Sequence, residues 1–476
     1  MKQIVRIIAG AMVLIILATT VRSVSARPAS HDFTQVDTYI RETMQRLPIR
    51  GLSLAIVKGD QILYMQGYGT ANMAGDAVTP QTPFMLASVT KTFTALAIQQ
   101  LSAEGKLDLN DALQTYVPEF RLADADAAAT ITIRQLLEHT SGLSELEGTR
   151  PYLHSRKTTF AGALERLARF TPVSLPGAQY EYSNWNYVLL GEAIARASGQ
   201  PYAEYIQTKI LDPLEMTHAS FDDYHMLPGA ATGNLIVFGA RIPYNEKHIP
   251  VMLSAGYLTA SAEDMAHYLI PFFNNGQYRG RSLLAVEGQG WFNTIWQWQS
   301  GRPGDISYSY SGGHNSVNTA IQLFSLHQVG VVVLMNTRLD ALIPGPTASD
   351  IAFNIARMVS GFSHEVPSNR GFYGSYAVLD GLLLMFCVVI GWQVRHLKDL
   401  GTRFHKTSTG DKIKYWLGIA LNLILSIWIL AVPSLFGTRW QFVLYHRPET
   451  SIPLLAIGMC LGALGVIKTL RTGYTT

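Results

Sequence analysis

Three long apolar runs, 376–394, 415–435 and 452–467, constrain this chain more than any other feature. A stretch of about 20 apolar residues is long enough to cross a bilayer. Hydrocarbon holds no water to satisfy backbone N–H and C=O groups, so each run must close its hydrogen bonds internally, as a helix. The first two reach the needed length and the third falls somewhat short of it. The whole chain is 48% hydrophobic and only 15% charged, apolar for a soluble protein, and these runs account for much of that bias. Asp380 falls near the outer end of the first run, where a carboxylate still reaches the interface.

Charge around the runs sets their direction. Arg395, Lys398, Arg403, Lys406, Lys412 and Lys414 lie between the first and second, whereas only Arg439 and Arg447 lie between the second and third. Positive residues stay on the cytoplasmic side, so the first loop is inside and everything before residue 367 is outside. The other end of the chain points the same way. Lys2 and Arg6 precede an apolar run at 7–21, and Val24-Ser25-Ala26 offers a small-residue cleavage site, the pattern of a secretory signal peptide over 1–26. The chain therefore divides into a leader (1–26), an exported domain (27–366) and a membrane domain with three spans (367–476). Its expected place is a bacterial cytoplasmic membrane, multi-pass, with the large domain on the periplasmic or extracellular side.

The net charge of +3 is small and sits largely in the basic loop, so no nucleic-acid footprint is expected. Both cysteines, Cys387 and Cys460, fall in the apolar runs. The exported domain thus holds no disulfide and relies on its core, which a domain of this size can supply. Short β-prone runs at 52–57 and 61–67 flank the turn Lys58-Gly59-Asp60, and 319–324 and 330–335 form a second such pair. Helical patterns occupy 132–137, 159–168, 187–198, 202–211 and 349–359. Strands at both ends with helices between them predict one sheet made from the two ends of the domain, with a helical lobe inserted.

Three clusters carry chemistry. Ser88 and Lys91 stand three residues apart, on one face of a helix. The residues that follow (Phe93, Ala95, Leu96, Ala97, Ile98, Leu101) are apolar nearly all round, the mark of a buried helix. An ammonium carried into such surroundings loses hydration, which favours the neutral amine, and an amine beside a hydroxyl makes a nucleophile. The plainer reading is a capping serine with a lysine reaching solvent. The second cluster is Tyr180-Glu181-Tyr182-Ser183-Asn184, leading into the apolar helix. Tyr182 and Asn184 on a tight turn can face one cavity, a phenol to move a proton and an amide to hold a carbonyl; aromatic packing with a helix cap is the alternative. The third is Tyr308-Ser309-Tyr310-Ser311-Gly312-Gly313-His314, small residues that let a substrate backbone lie beside the 319–324 strand, or else a glycine loop. No H-E-x-x-H or paired-cysteine pattern provides for zinc, so neither metal nor other cofactor is expected.

Together these motifs resemble the serine penicillin-recognising family, the class C β-lactamases and D,D-peptidases, whose elements include S-x-x-K and K-T-G, with Y-x-N as the second in the class C branch. Leu136-Leu137-Glu138-His139-Thr140-Ser141-Gly142-Leu143, Asp212-Pro213-Leu214-Glu215-Met216 and Ser254-Ala255-Gly256-Tyr257-Leu258-Thr259-Ala260 also resemble family landmarks, and the likeness runs over about residues 32–360. It implies an α+β fold, a β-lactamase/D,D-peptidase-like antiparallel sheet flanked by helices with an inserted all-helical lobe, followed here by three transmembrane helices. It implies Ser88 as acylated nucleophile, Lys91 as partner in its deprotonation and Tyr182 as general base and acid. It further implies Asn184 as holder of the substrate amide and the N–H groups of Ser88 and Gly313 as oxyanion donors. His139 takes a structural position.

One departure matters. The family carries Lys or His at the head of the third motif, followed by a small residue and Gly. Here the register Tyr310-Ser311-Gly312 places a tyrosine there, and a slip by one gives Ser311-Gly312-Gly313; neither brings a permanent positive charge. His314 is the neighbour that could restore one. Without it, substrates presenting a carboxylate at this point are disfavoured. The resemblance implies a membrane-anchored serine hydrolase working through an acyl-serine, a peptidase or amidase on peptide or D-amino-acid-containing small molecules. The leader, domain and three spans are similar in arrangement to the prodrug-activating peptidases, such as the colibactin-maturing peptidase. Alternatives are a cell-wall D,D-carboxypeptidase, an esterase or β-lactamase, and a non-catalytic penicillin-binding-like sensor. The absence of a G-x-S-x-G elbow disfavours an α/β-hydrolase. The expected partners are the peptide-like substrate and the lipid bilayer, and the oligomeric state stays open.

Overall fold

The computed structural model describes residues 32–144, 158–237, 240–283, 307–339, 346–365, 370–397, 408–435 and 448–473. The leader over 1–26, the boundary at 366/367, Lys398, Arg403 and Lys406 of the basic loop, and Arg439 and Arg447 lie outside the described residues.

A five-stranded antiparallel sheet organises the large domain that precedes the apolar helices. Its strands are β1 (Gly51–Lys58), β2 (Gln61–Gly69), β3 (Ser307–Gly313), β4 (Asn318–Phe324) and β5 (Val329–Met335), in the order β2-β1-β5-β4-β3. The pairing of β1 with β5, Leu52 opposite Met335 through Lys58 opposite Val329, joins the two ends of the domain. β1 and β5 are central and buried on both faces, hence their near-continuous apolar sequence. Side chains alternate between two cores. Leu52, Leu54, Ile56, Val331 and Val333 face one, with Ala55, Val57, Val332 and Leu334 in the other. Each of the Leu, Ile and Val side chains contributes about 1.5–3 kcal/mol by leaving water.

Helices cover both faces. α1 (Thr34–Arg46) and α5 (Ala348–Val359) supply Val36, Ile40, Ile351 and Ile355 to the first core. The second core takes α2 (Thr90–Ala103), α3 (Asn184–Ser198) and α4 (Ala262–Phe273). The predicted pairs 52–57/61–67 and 319–324/330–335 are present, each a residue or two longer than the sequence suggested. The pattern at 202–211 divides into an α-turn, Tyr202–Ile206, and a π-turn, Gln207–Leu211. The third motif, whose glycines left loop and strand both open, is the edge strand β3.

α6 (Arg370–His396), α7 (Thr409–Leu435) and α8 (Pro448–Gly473) follow. All three contain a segment long and apolar enough to cross a membrane: Phe372–His396, Thr409–Ser434 and Ser451–Leu470. The third thereby reaches spanning length, because Lys468 and the residues around it continue the helix beyond 467. Phe372 and Tyr376, at the start of α6, are buried in the core beneath α1 and α5. Near the other end of α6, Gln393 and Asn422 exchange side-chain hydrogen bonds and Lys468 donates to Gln393. In hydrocarbon such polar contacts hold helices together.

Candidate active site

α2 is buried on nearly every side, polar residues included: Thr90, Lys91, Thr92 and Thr94 are fully enclosed. They are tolerated because the segment after residue 253 runs along the helix and pairs with Thr90, Lys91 and Thr94, while Thr92 Oγ1 donates to Val89 O and accepts from Tyr268 Oη. Lys91 Nζ donates to Ala255 O at 2.6 Å, Thr94 Oγ1 donates to Ser254 O at 2.7 Å, and Leu258 N donates to Thr90 Oγ1 at 3.1 Å. Leu86 N donates to Leu258 O at 2.8 Å just before the helix. The chain then enters α2 through a short 3₁₀ turn, Ala87–Val89, in which Ala87 adopts φ +50°. A non-glycine residue in that region costs energy and persists only where the surroundings enforce it; here it sets the direction of Ser88.

Ser88 Oγ lies 2.8 Å from Tyr182 Oη and accepts from Lys91 Nζ at 3.1 Å. Lys91 Nζ also donates to Asn184 Oδ1 at 2.7 Å and stands 5.1 Å from the centre of the Tyr182 ring and 5.6 Å from that of Tyr187. The four residues meet in one pocket although the two pairs are more than ninety positions apart. Local structure explains Tyr182 and Asn184. Ser183 caps α3, its side chain accepting from Trp185 N, so the residues on either side of it turn toward the same space.

His139 fixes the tyrosine. Its backbone is also left-handed, φ +55°, and its ring packs between Tyr182 at 4.6 Å and Tyr187 at 5.1 Å. Ser183 N and Asn186 Nδ2 both donate to Nδ1, at 3.2 and 2.9 Å, which assigns the ring proton to Nε2. Burial, with the nearby Lys91 charge, lowers its pKa to about 3, so the imidazole is neutral and adds no charge beside Lys91. The structural position implied for His139 is thus a buttress behind Tyr182.

The third motif borders the opposite side. A Cβ on Gly312 would lie 2.3 Å from Leu86 O and 2.8 Å from Ser88 N, so only glycine lets β3 approach the start of α2 this closely. A Cβ on Gly313 would meet nothing nearer than 3.5 Å. Gly312 is therefore the close-approach glycine, which selects the register Tyr310-Ser311-Gly312 over the slipped one. Gly312 O accepts from the Asn318 and Thr319 side chains, and His314 N donates to Val317 O. Backbone groups of Gly312 and His314 thus turn toward β4, and alternation turns those of Ser311 and Gly313 to the open edge. The Gly313 N–H consequently points away from β4, one residue along from Gly312, whose Cβ position lies 2.8 Å from Ser88 N. Tyr310 is half-buried against the second core, and burial pushes its phenol well above the usual range, with Tyr187 and Tyr182 adding to the effect. Tyr310 is neutral and brings no charge.

His314 does not restore the cation. Its Nε2 lies 3.2 Å from Gly256 O and its ring packs against Tyr257 at 5.1 Å. Burial lowers its pKa, Lys91 and Arg338 acting in the same direction against Glu246 and the Gly256 carbonyl, so the ring is neutral at pH 7. Sequence reasoning also missed the carbonyl of Ala255 that orients Lys91, since a backbone acceptor leaves no mark in the residue type. Among the described residues, no group of three His, Cys, Asp or Glu side chains is disposed to hold a metal ion.

Comparison with known proteins agrees with this architecture. The family model described as "Beta-lactamase" matches residues 36–343, well over half of the chain. Protein flp of Staphylococcus aureus (strain NCTC 8325 / PS 47) is 27% identical over 439 residues, covering 87% of this chain and 85% of that protein. Among solved structures, the octameric penicillin-binding protein homologue from Pyrococcus abyssi is similar with a TM-score of 0.56 and 25% identity, over 73% of this chain and 81% of that one. A class C β-lactamase shares the fold with a TM-score of 0.56 and 18% identity, over 70% of this chain and 97% of that one. With the antiparallel sheet, the helices that cover it and the matched length all in agreement, the chain belongs to the beta-lactamase family.

Proposed function

We propose that this protein is a membrane-anchored serine hydrolase that works outside the cytoplasmic membrane through an acyl-serine intermediate. The observation that carries the reading is the contact of Ser88 Oγ with both Tyr182 Oη, at 2.8 Å, and Lys91 Nζ, at 3.1 Å. In this reading Tyr182, as its phenolate, takes the Ser88 proton as Oγ attacks the substrate carbonyl carbon, and the Lys91 ammonium, which donates to Ser88 Oγ, Asn184 Oδ1 and Ala255 O, balances the negative charge of that phenolate before the transfer. The oxyanion is received by the N–H groups of Ser88 and Gly313; one such donor is worth about 2.7–4 kcal/mol. Tyr182 returns the proton to the leaving group as the tetrahedral intermediate collapses to the acyl-serine. Water, giving its proton to Tyr182, then cleaves the ester and restores Ser88.

The substrates of this reading are peptide-like small molecules, including those containing D-amino acids. The open edge of β3 supports that choice, because an extended amide can lie along it as a further strand. The three apolar helices support attachment to the bilayer, and the basic residues between the first two support an outward-facing catalytic domain.

The test is intact-mass analysis of the full chain in detergent after exposure to a fluorophosphonate. One adduct on the parent and none on Ser88→Ala supports the hydrolase. A full-length, folded parent that takes up neither this probe nor a β-lactam refutes it and favours a non-catalytic sensor.

A further inference from the structure

The connection between β3 and β4 is short and enclosed. Asn315, Ser316 and Val317 are all buried, although turns between strands ordinarily lie at the surface. A buried turn must pair its backbone groups inside the protein, and those of Ser316 find their partners in one distant segment. The paired strands Gly233–Val237 and Ala240–Tyr244 form a two-stranded ribbon whose base sets Gly233 opposite Tyr244. That base straddles Ser316. On one side Asn234 N donates to Ser316 O at 3.0 Å. On the other, two residues beyond the ribbon, Glu246 Oε1 accepts from both Ser316 N and Ser316 Oγ at 2.9 Å.

The fit is close and Glu246 is itself fixed. A Cβ on Gly233 would lie 2.1 Å from Ser316 Oγ and 2.6 Å from Ser316 Cβ, so glycine is what lets the ribbon reach the turn. Glu246 is 2% exposed, and its N–H donates to Tyr224 Oη at 2.8 Å. Enclosing an acidic side chain is costly unless donors meet it, and the turn supplies two.

Ser316 lies three residues beyond Gly313, the last residue of β3. Between them His314 N donates to Val317 O and closes the turn. β3 is an edge strand that has β4 as its one neighbour in the sheet, so the placing of Gly313 depends on how firmly this turn is held. Gly312 O is tied to the side chains of Asn318 and Thr319 on one side of Gly313, and the contact of Ser316 with Glu246 secures the chain on the other.

We infer that Glu246 is a positioning residue: through Ser316 it sets the β3–β4 turn, and with it the Gly313 N–H that receives the oxyanion. The inference rests on the hydrolase reading, which gives that N–H its task. Glu246 acts through the turn and not on the reacting atoms.

The experiment uses the full chain in detergent. The probe is an alkyl fluorophosphonate, or a β-lactam if only that one labels the parent; in both, an oxygen takes the oxyanion position as Ser88 attacks. The concentration dependence of labelling separates the half-saturating concentration from the limiting rate. A donor that acts on developing charge alters the second and spares the first. Glu246→Ala should lower the limiting rate by about 10–100-fold and leave the half-saturating concentration within about twofold. Glu246→Gln keeps an oxygen able to accept from Ser316 and should return the rate to within about fivefold of the parent. Gly233→Ala, which leaves Glu246 in place but presses on Ser316, should slow labelling in the same manner, and it decides the matter if Glu246→Ala does not fold. Thermal melts establish that each variant is folded at the assay temperature. A lower melting temperature with an unchanged limiting rate marks a merely structural role and overturns the inference, as does a change confined to the half-saturating concentration. A folded parent labelled by neither probe overturns the hydrolase reading and the inference together, whereas a labelled parent with an unaffected Glu246→Ala overturns the inference alone.

Discussion

Replacing Gly312 by alanine tests the apposition of β3 and α2 at a single carbon atom. The added Cβ would lie 2.3 Å from Leu86 O and 2.8 Å from both Ser88 N and Thr319 Oγ1. Two of these three atoms belong to the backbone, and Thr319 Oγ1 is itself tied to Leu86 O at 2.7 Å, so no flexible side chain can swing aside. Reaching an ordinary contact of 3.4 Å needs about 1 Å of retreat by the edge strand. Productive oxyanion donors lie about 2.7–3.1 Å from the oxygen, so that retreat removes the Gly313 N–H from useful range. Losing one donor costs about 10²–10³ in rate, while overpacking costs about 1–3 kcal/mol of stability. The assay is the second-order rate constant for fluorophosphonate labelling of Ser88, with a thermal melt as the measure of folding. Gly313→Ala is the control: it keeps its N–H, meets only ordinary contacts at 3.5–3.7 Å and should lose less than about tenfold. A folded Gly312→Ala that labels at the parent rate, or a Gly313→Ala that loses as much as Gly312→Ala, would refute the assigned register.

Tyr182→Phe removes the proposed proton acceptor and should slow acylation by about 10²–10⁴, measured as the labelling rate in a variant with an unchanged melting temperature. Lys91→Met fills similar volume but takes the donor from Asn184 Oδ1 and Ala255 O; each stranded buried acceptor costs about 1–3 kcal/mol, readable by denaturation, along with loss of labelling. His139 binds its proton with a pKa of about 3 in the fold and 6.5 when exposed. Between those values the unfolded chain holds more protons, so stability falls as pH drops from 6.5 toward 3, by up to about 1.4 kcal/mol per pH unit. Melts at pH 7.5 and 5.0 should show that decline, and His139→Gln should show less of it. Gln393→Leu removes the contacts with Asn422 and Lys468 and should weaken the helix bundle by about 0.6–1.7 kcal/mol, seen as a lower aggregation temperature in detergent.

What the sequence discloses about this site depends on how local the determinant is. Ser88 and Lys91 are legible because helical spacing brings them together, and Tyr182 and Asn184 because Ser183 between them is a recognisable cap. The pairing of 52–57 with 330–335 follows from two continuous apolar runs at opposite ends of the domain, the signature of central strands. The third motif is another case. Its glycines fit loop and strand alike, and the choice between Gly312 and Gly313 depends on which one meets Leu86 O, a contact across more than two hundred positions. The Ala255 carbonyl under Lys91 is invisible for the same reason, as any residue carries that acceptor. Arg338 reads as an ordinary charge after a strand, and its contact with His314 O next to β3 emerges only from the sheet order. The third apolar helix looked short because Lys468 interrupts its apolar run, yet that lysine continues the helix and donates to Gln393.

The central claim is tested most directly by trapping the enzyme during turnover. Quenched-flow mass spectrometry of the full chain with a peptide-like ester substrate should reveal one acyl group, on the peptide containing Ser88, appearing and decaying at rates that account for kcat. Hydrolysis without any covalent species where the measured rates require it to accumulate, or an acyl group on a different residue, would contradict the account.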